Sequence, residues 1–129
     1  MGWIDEISDL VIRESNAIHR ELGPGLFENV YESILAGRLT AHGLHVDRQV
    51  QVPVVFDGQT FDAAFKVDIL VEKSLVLEIK AVDALTNGHT RQLLNYLRLL
   101  KQPVGLLLNF SCATMKEGIK RLVNDYRPD

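Results

Sequence analysis

The chain has 129 residues, 47% hydrophobic and 24% charged, which fits one globular domain over residues 1–129 and excludes a disordered, collagen-like or disulfide-stapled chain. Its one cysteine, Cys112, permits neither an intrachain disulfide nor a cysteine-based zinc cluster and points to a reducing cytoplasm. The net charge of −3 excludes a wholly basic nucleic-acid coat but not a local basic patch. The opening MGWIDEISDL has acids where a signal peptide has bases, and no apolar run is long enough to span a membrane, so no membrane association is expected.

Ile4, Ile7, Val11, Ala17, Ile18 and Leu22 recur at helical spacing and predict a first helix over about 3–22. Gly23-Pro24-Gly25 cannot continue it. Phe27, Val30, Tyr31, Ile34, Leu35 and Leu39 form the apolar stripe of a second helix over about 27–42. The period then changes to two. Leu44, Val46, Val50, Val52 and Val54 alternate with polar residues in a strand over 44–54, and Pro53 places it at an edge. Asp57-Gly58 signals a hairpin turn, followed by strands over 60–71 and 75–82 joined by Glu72-Lys73-Ser74. A helix over 87–100 comes next. Val104-Gly105-Leu106-Leu107-Leu108 has the continuous apolar character of a strand covered on both faces. A last amphipathic helix is expected over 115–126, burying Met115, Ile119, Leu122 and Val123, with Lys116, Lys120 and Arg121 along one side. The order α-α-β-β-β-α-β-α describes an α/β domain whose one crossover helix sets the fourth strand parallel to the third.

The third strand's hairpin carries the chemistry. Residues two apart in a strand share a face, so Glu78 and Lys80 point the same way. With a three-residue turn at 72–74, Val71 pairs with Leu75 and Asp68 lies opposite Glu78. One face then carries Lys66, Asp68, Glu78 and Lys80, and the other Val67, Ile69, Val71, Leu75, Leu77 and Ile79. Two carboxylates beside a lysine suit a hard divalent cation such as Mg²⁺, which takes oxygen ligands and can activate a water. Taken alone, the same pattern also describes a solvated sheet face with a cross-strand ion pair. Gln92 and Tyr96 share a face of the next helix, with His89 three residues before Gln92, either near the carboxylates or as a wet helix edge. Glu28 opens the second helix with Tyr31 one turn on, where an acid also complements the helix dipole.

At these residues the chain resembles the GxxExxY protein family, a branch of the PD-(D/E)XK nuclease superfamily. Gly25-Leu26-Phe27-Glu28-Asn29-Val30-Tyr31 matches the name-giving motif, Asp68 the superfamily aspartate, and Glu78-Ile79-Lys80 its E-x-K element. Gln92-Leu93-Leu94-Asn95-Tyr96 is similar to the Q-x-x-x-Y motif of RecB-like branches, and Val67 stands where the superfamily name has proline. The resemblance implies a restriction-endonuclease-like core, in a mixed sheet flanked by helices, and a nuclease dependent on Mg²⁺ or Mn²⁺. Asp68 and Glu78 would ligate the metal with the Ile79 carbonyl, and Glu28 would be a further acid near it. Lys80 would orient water or stabilise charge, and Gln92 would position a ligand or substrate. Tyr96, His89 and Tyr31 would support them. The implied partner is nucleic acid, DNA before RNA, with a homodimer or a partner protein supplying further contacts. The competing reading is a non-enzymatic module that keeps the fold and binds a protein or nucleic acid.

Overall fold

The computed structural model describes residues 2–126. Its elements run α1 (Trp3–Leu22), α2 (Glu28–Ala41), β1 (Val46–Phe56), β2 (Gln59–Val71), β3 (Leu75–Lys80), α3 (Asn87–Leu100), β4 (Val104–Asn109), the single turn α4 (Met115–Gly118) and β5 (Ile119–Val123). The five strands form one sheet in the order β1-β2-β3-β4-β5. β3 and β4 are parallel across the α3 crossover, and the other neighbours are antiparallel. Pro53 sits in β1 at the sheet edge, where the β1–β2 register shifts between Val52 and Val54. A residue with no N–H to donate is tolerated at such a place.

Apolar side chains are buried on both faces of the sheet. On one, Val11, Ile18, Leu35 and Leu39 of α1 and α2 pack against Ile69, Leu77, Ile79, Leu106 and Leu108. On the other, Leu93 and Leu97 of α3 pack against Leu70, Val76, Leu107 and Leu122. Every residue of β4 is buried, as its unbroken apolar run requires.

The predicted last helix is the main correction. Only Met115–Gly118 is helical, and Ile119–Val123 pairs antiparallel with β4 from Val104↔Val123 to Leu108↔Ile119. Three apolar residues in so short a run, Ile119, Leu122 and Val123, do not settle whether it is helix or strand. The free edge of β4 decides between them, because its backbone groups need partners that a helix does not offer. A Cβ on Gly118 would stand 2.2 Å from the Asn109 carbonyl oxygen, so this position requires glycine for the chain to fold back closely on β4. Leu122 is buried, but Val123 is exposed. Lys120 and Arg121 are therefore neighbours in a strand rather than companions on a helix. Lys120 Nζ donates to Thr90 Oγ1 (3.1 Å) and Arg121 to Asp5 (2.6 Å).

Candidate active site

The β2–β3 hairpin has the predicted turn, with Val71 opposite Leu75 and Ile69 opposite Leu77. The ladder stops there, and the two strands fork. The carboxylates of the next two residues fill the gap. Glu78 Oε1 accepts from the Asp68 backbone N–H (3.2 Å), and Asp68 Oδ2 accepts from the Ile79 N–H (2.8 Å). Each acid thus satisfies a backbone donor of the opposite strand.

Beside the fork, β1 is irregular. Gln49 has φ +52°, and the β1–β2 pairing runs through Arg48↔Ile69 and Val50↔Val67 without a Gln49–Asp68 pair. Alternation breaks on both strands at this point. Val46, Ile69 and Val71 pack toward α1 and α2, whereas Val50, Val52 and Val67 pack with Leu70 and Val76 on the α3 side. Val67 is therefore not on the face of Ile69, as simple alternation predicts.

Glu78 is only 3% exposed. Burial, and next the charge of Asp68, push its carboxyl up to about 8, while Lys80 pulls in the opposite direction. Lys80, two residues on, donates to Gln92 Oε1 (3.2 Å), so α3 does meet the end of β3. Tyr96 is buried and stacks on Phe65 with centroids 4.3 Å apart. Desolvation, followed by the charges of Glu78 and Asp68, holds its hydroxyl protonated to about 12. Gln92 and Tyr96 line a depression with Phe65, Gly88, Arg91 and Asn95.

Glu28 approaches from α2. Its Oε1 accepts from the Ala81 N–H (3.3 Å), immediately beyond β3. Tyr31 lies in the core, stacked on Phe110 at 4.5 Å; its hydroxyl donates to the Gly23 carbonyl (2.5 Å) and accepts from the Leu26 N–H (3.2 Å). It pins the Gly23-Pro24-Gly25 turn from which Glu28 emerges, so the glycine, glutamate and tyrosine of the motif form one mechanical unit. His89 caps α3. Its Nδ1 accepts from the Thr86 N–H (3.0 Å), and Thr86 Oγ1 accepts from the His89 N–H (3.3 Å), a reciprocal cap at the start of α3.

Three further residues surround the site, of which Glu32 and Gln49 carry no sequence signal. Glu32, one turn beyond Glu28, is 5% exposed and takes Arg48 Nε (3.0 Å) and Nη2 (2.9 Å). Gln49 Nε2 donates to Glu32 Oε1 (2.7 Å) and to Asp68 Oδ1 (3.4 Å). Asn109, at the end of β4, holds the segment after β3 by accepting from the Val82 N–H (3.1 Å) and donating to its carbonyl (2.9 Å).

Among the described residues, no three His, Cys, Asp or Glu side chains gather closely enough to hold a metal by themselves. The donor set at the fork nevertheless fits a hard divalent ion. The two side chains there offer carboxylate oxygens, and the buried Glu78 carries an electrostatic penalty that a dication would relieve. Mg²⁺ keeps several waters in such sites, which two carboxylates and a backbone carbonyl leave room for.

A five-stranded mixed sheet with helices on both faces and an Asp…Glu-x-Lys hairpin at its fork defines a restriction-endonuclease-like α/β domain. The chain belongs to the PD-(D/E)XK nuclease superfamily, whose profile matches residues 5–122. No curated protein and no solved structure matches it. No helix among the described residues is long and apolar enough to cross a membrane.

Proposed function

We propose that the chain is a cytoplasmic nuclease dependent on Mg²⁺ or Mn²⁺, cutting phosphodiester bonds of nucleic acid, DNA before RNA. The observation that carries this reading is the fork between β2 and β3, where Asp68 and Glu78 meet and Lys80 extends along the same strand to Gln92. Asp68, Glu78 and the Ile79 carbonyl are the groups that would hold the ion, with Glu28 a further acid near it, directly or through a water. When bound, the ion supplies Lewis acidity to a water and offsets charge on the phosphate. Glu78 would have to be ionised to hold the ion. Lys80 orients the attacking water or stabilises the developing charge, and Gln92 fixes its ammonium. Tyr96, protonated at all working pH values, keeps a hydroxyl donor beside the acids. With a net charge of −3, the domain draws its remaining nucleic-acid contacts from a second subunit or a partner.

The test combines thermal melts, in chelator and in millimolar Mn²⁺, with cleavage of a labelled oligonucleotide. Mn²⁺ raises the melting temperature of the wild type, because a ligand that binds only the native state stabilises it. Asp68→Ala and Glu78→Ala lose both that rise and cleavage. Lys80→Ala keeps the rise and loses cleavage by about 10²–10⁴-fold. A Lys80→Ala protein that fails to fold, together with a Glu78→Ala protein that still responds to Mn²⁺, would reduce the pair to a structural ion pair and end the nuclease reading.

A further inference from the structure

We propose that Gln49 is a positioning residue for Asp68, anchored by the Glu32–Arg48 ion pair; the inference rests on the metal-site reading above. A primary amide has two N–H groups on one nitrogen, and both are used here. One goes to Glu32 Oε1 at 2.7 Å and the other to Asp68 Oδ1 at 3.4 Å. Glu32 is itself held, because Arg48 reaches its Oε2 through Nε and Nη2 at 3.0 and 2.9 Å, and its side chain is buried. The relay runs from the second turn of α2 through the edge strand to the carboxylate at the fork.

The backbone of Gln49 points to the same role. A glutamine at φ +52° is in the left-handed region that non-glycine residues avoid, and such strain persists where surrounding structure enforces it. The conformation coincides with the missing Gln49–Asp68 ladder pair and with the change of face on both strands. The cost of the strained residue turns the amide toward Asp68. With Ile79 N–H on Oδ2 and Gln49 on Oδ1, both oxygens of the carboxylate are fixed before any ligand arrives. Residues in this position around metal ligands typically change affinity by about 10–100-fold.

The test is Mn²⁺ titration of the full chain by electron paramagnetic resonance, with melting temperatures measured in chelator. Gln49→Met keeps the length of the side chain and removes both donors, and should weaken Mn²⁺ binding about tenfold. Gln49→Gly removes the relay and the strain together. It should weaken Mn²⁺ comparably while melting no lower than wild type, a combination that a merely structural glutamine would not produce. Saturating Mn²⁺ should restore most of the cleavage rate in both variants. Mn²⁺ affinity within twofold of wild type in both variants overturns the assignment. Asp68→Ala separates the two ideas. If wild type shows no Mn²⁺ binding that Asp68→Ala removes, the metal site itself falls and the role of Gln49 with it. If that binding is present and the Gln49 variants match wild type, only the relay falls.

Discussion

A carboxyl group buried at 3% exposure against a second carboxylate keeps its proton to about pH 8, where an unfolded glutamate would have lost it near 4.5. The native state of the metal-free protein therefore binds more protons than the unfolded state between those values. Its contribution to stability is full below the unfolded value and disappears as pH rises through the folded one. The melting temperature in chelator should accordingly fall between about pH 5 and pH 8 and level off above, and Glu78→Gln, which cannot ionise, should flatten most of that decline. A pH-independent wild-type melt would place Glu78 in a far wetter environment than the fork provides. At this scale the sequence is most legible where chemistry and spacing coincide. Asp68, Glu78 and Lys80 follow from strand alternation and a three-residue turn. Gln49 and Glu32 do not, because their roles depend on a break in that same alternation, and period-two reasoning has no means of anticipating a strained φ in the neighbouring strand.

Among the elements, α2 shows how a short motif becomes a mechanical part. Its first turn delivers Glu28 to the end of β3, and its second locks the preceding turn through Tyr31. Tyr31→Phe keeps the stack on Phe110 and loses only the hydroxyl, leaving the half-buried Gly23 carbonyl without its donor. A loss of about 1–3 kcal/mol in urea unfolding is expected. Because the turn carries Glu28, any Mn²⁺-dependent rise in melting temperature should shrink as well. A neutral substitution would mean that the turn holds its shape without the clasp. The first three helices and the first four strands are legible from sequence pattern, with ends displaced by at most two residues. The fifth strand is not. Five residues with three apolar ones have no period of their own, and the vacant edge of β4, a tertiary fact, makes them a strand.

For the whole molecule, each strand pairs with its neighbour in sequence, and nothing inserts between them. A sheet of this kind can be extended in the order in which a ribosome releases it. The wholly buried β4 is the last apolar strand to arrive, and β5 closes it only when the chain has passed residue 123. Until then, Val104–Asn109 presents an open row of backbone donors and acceptors flanked by leucines, the form in which strands recruit copies of themselves. A chain halted after Gly118 should therefore sediment as aggregate during expression, rather than persist as a monomer that merely lacks its last strand. Light scattering of the halted and full-length chains at equal concentration measures the difference. Five residues that carry none of the chemistry thus decide whether a newly made copy stays single long enough to use it.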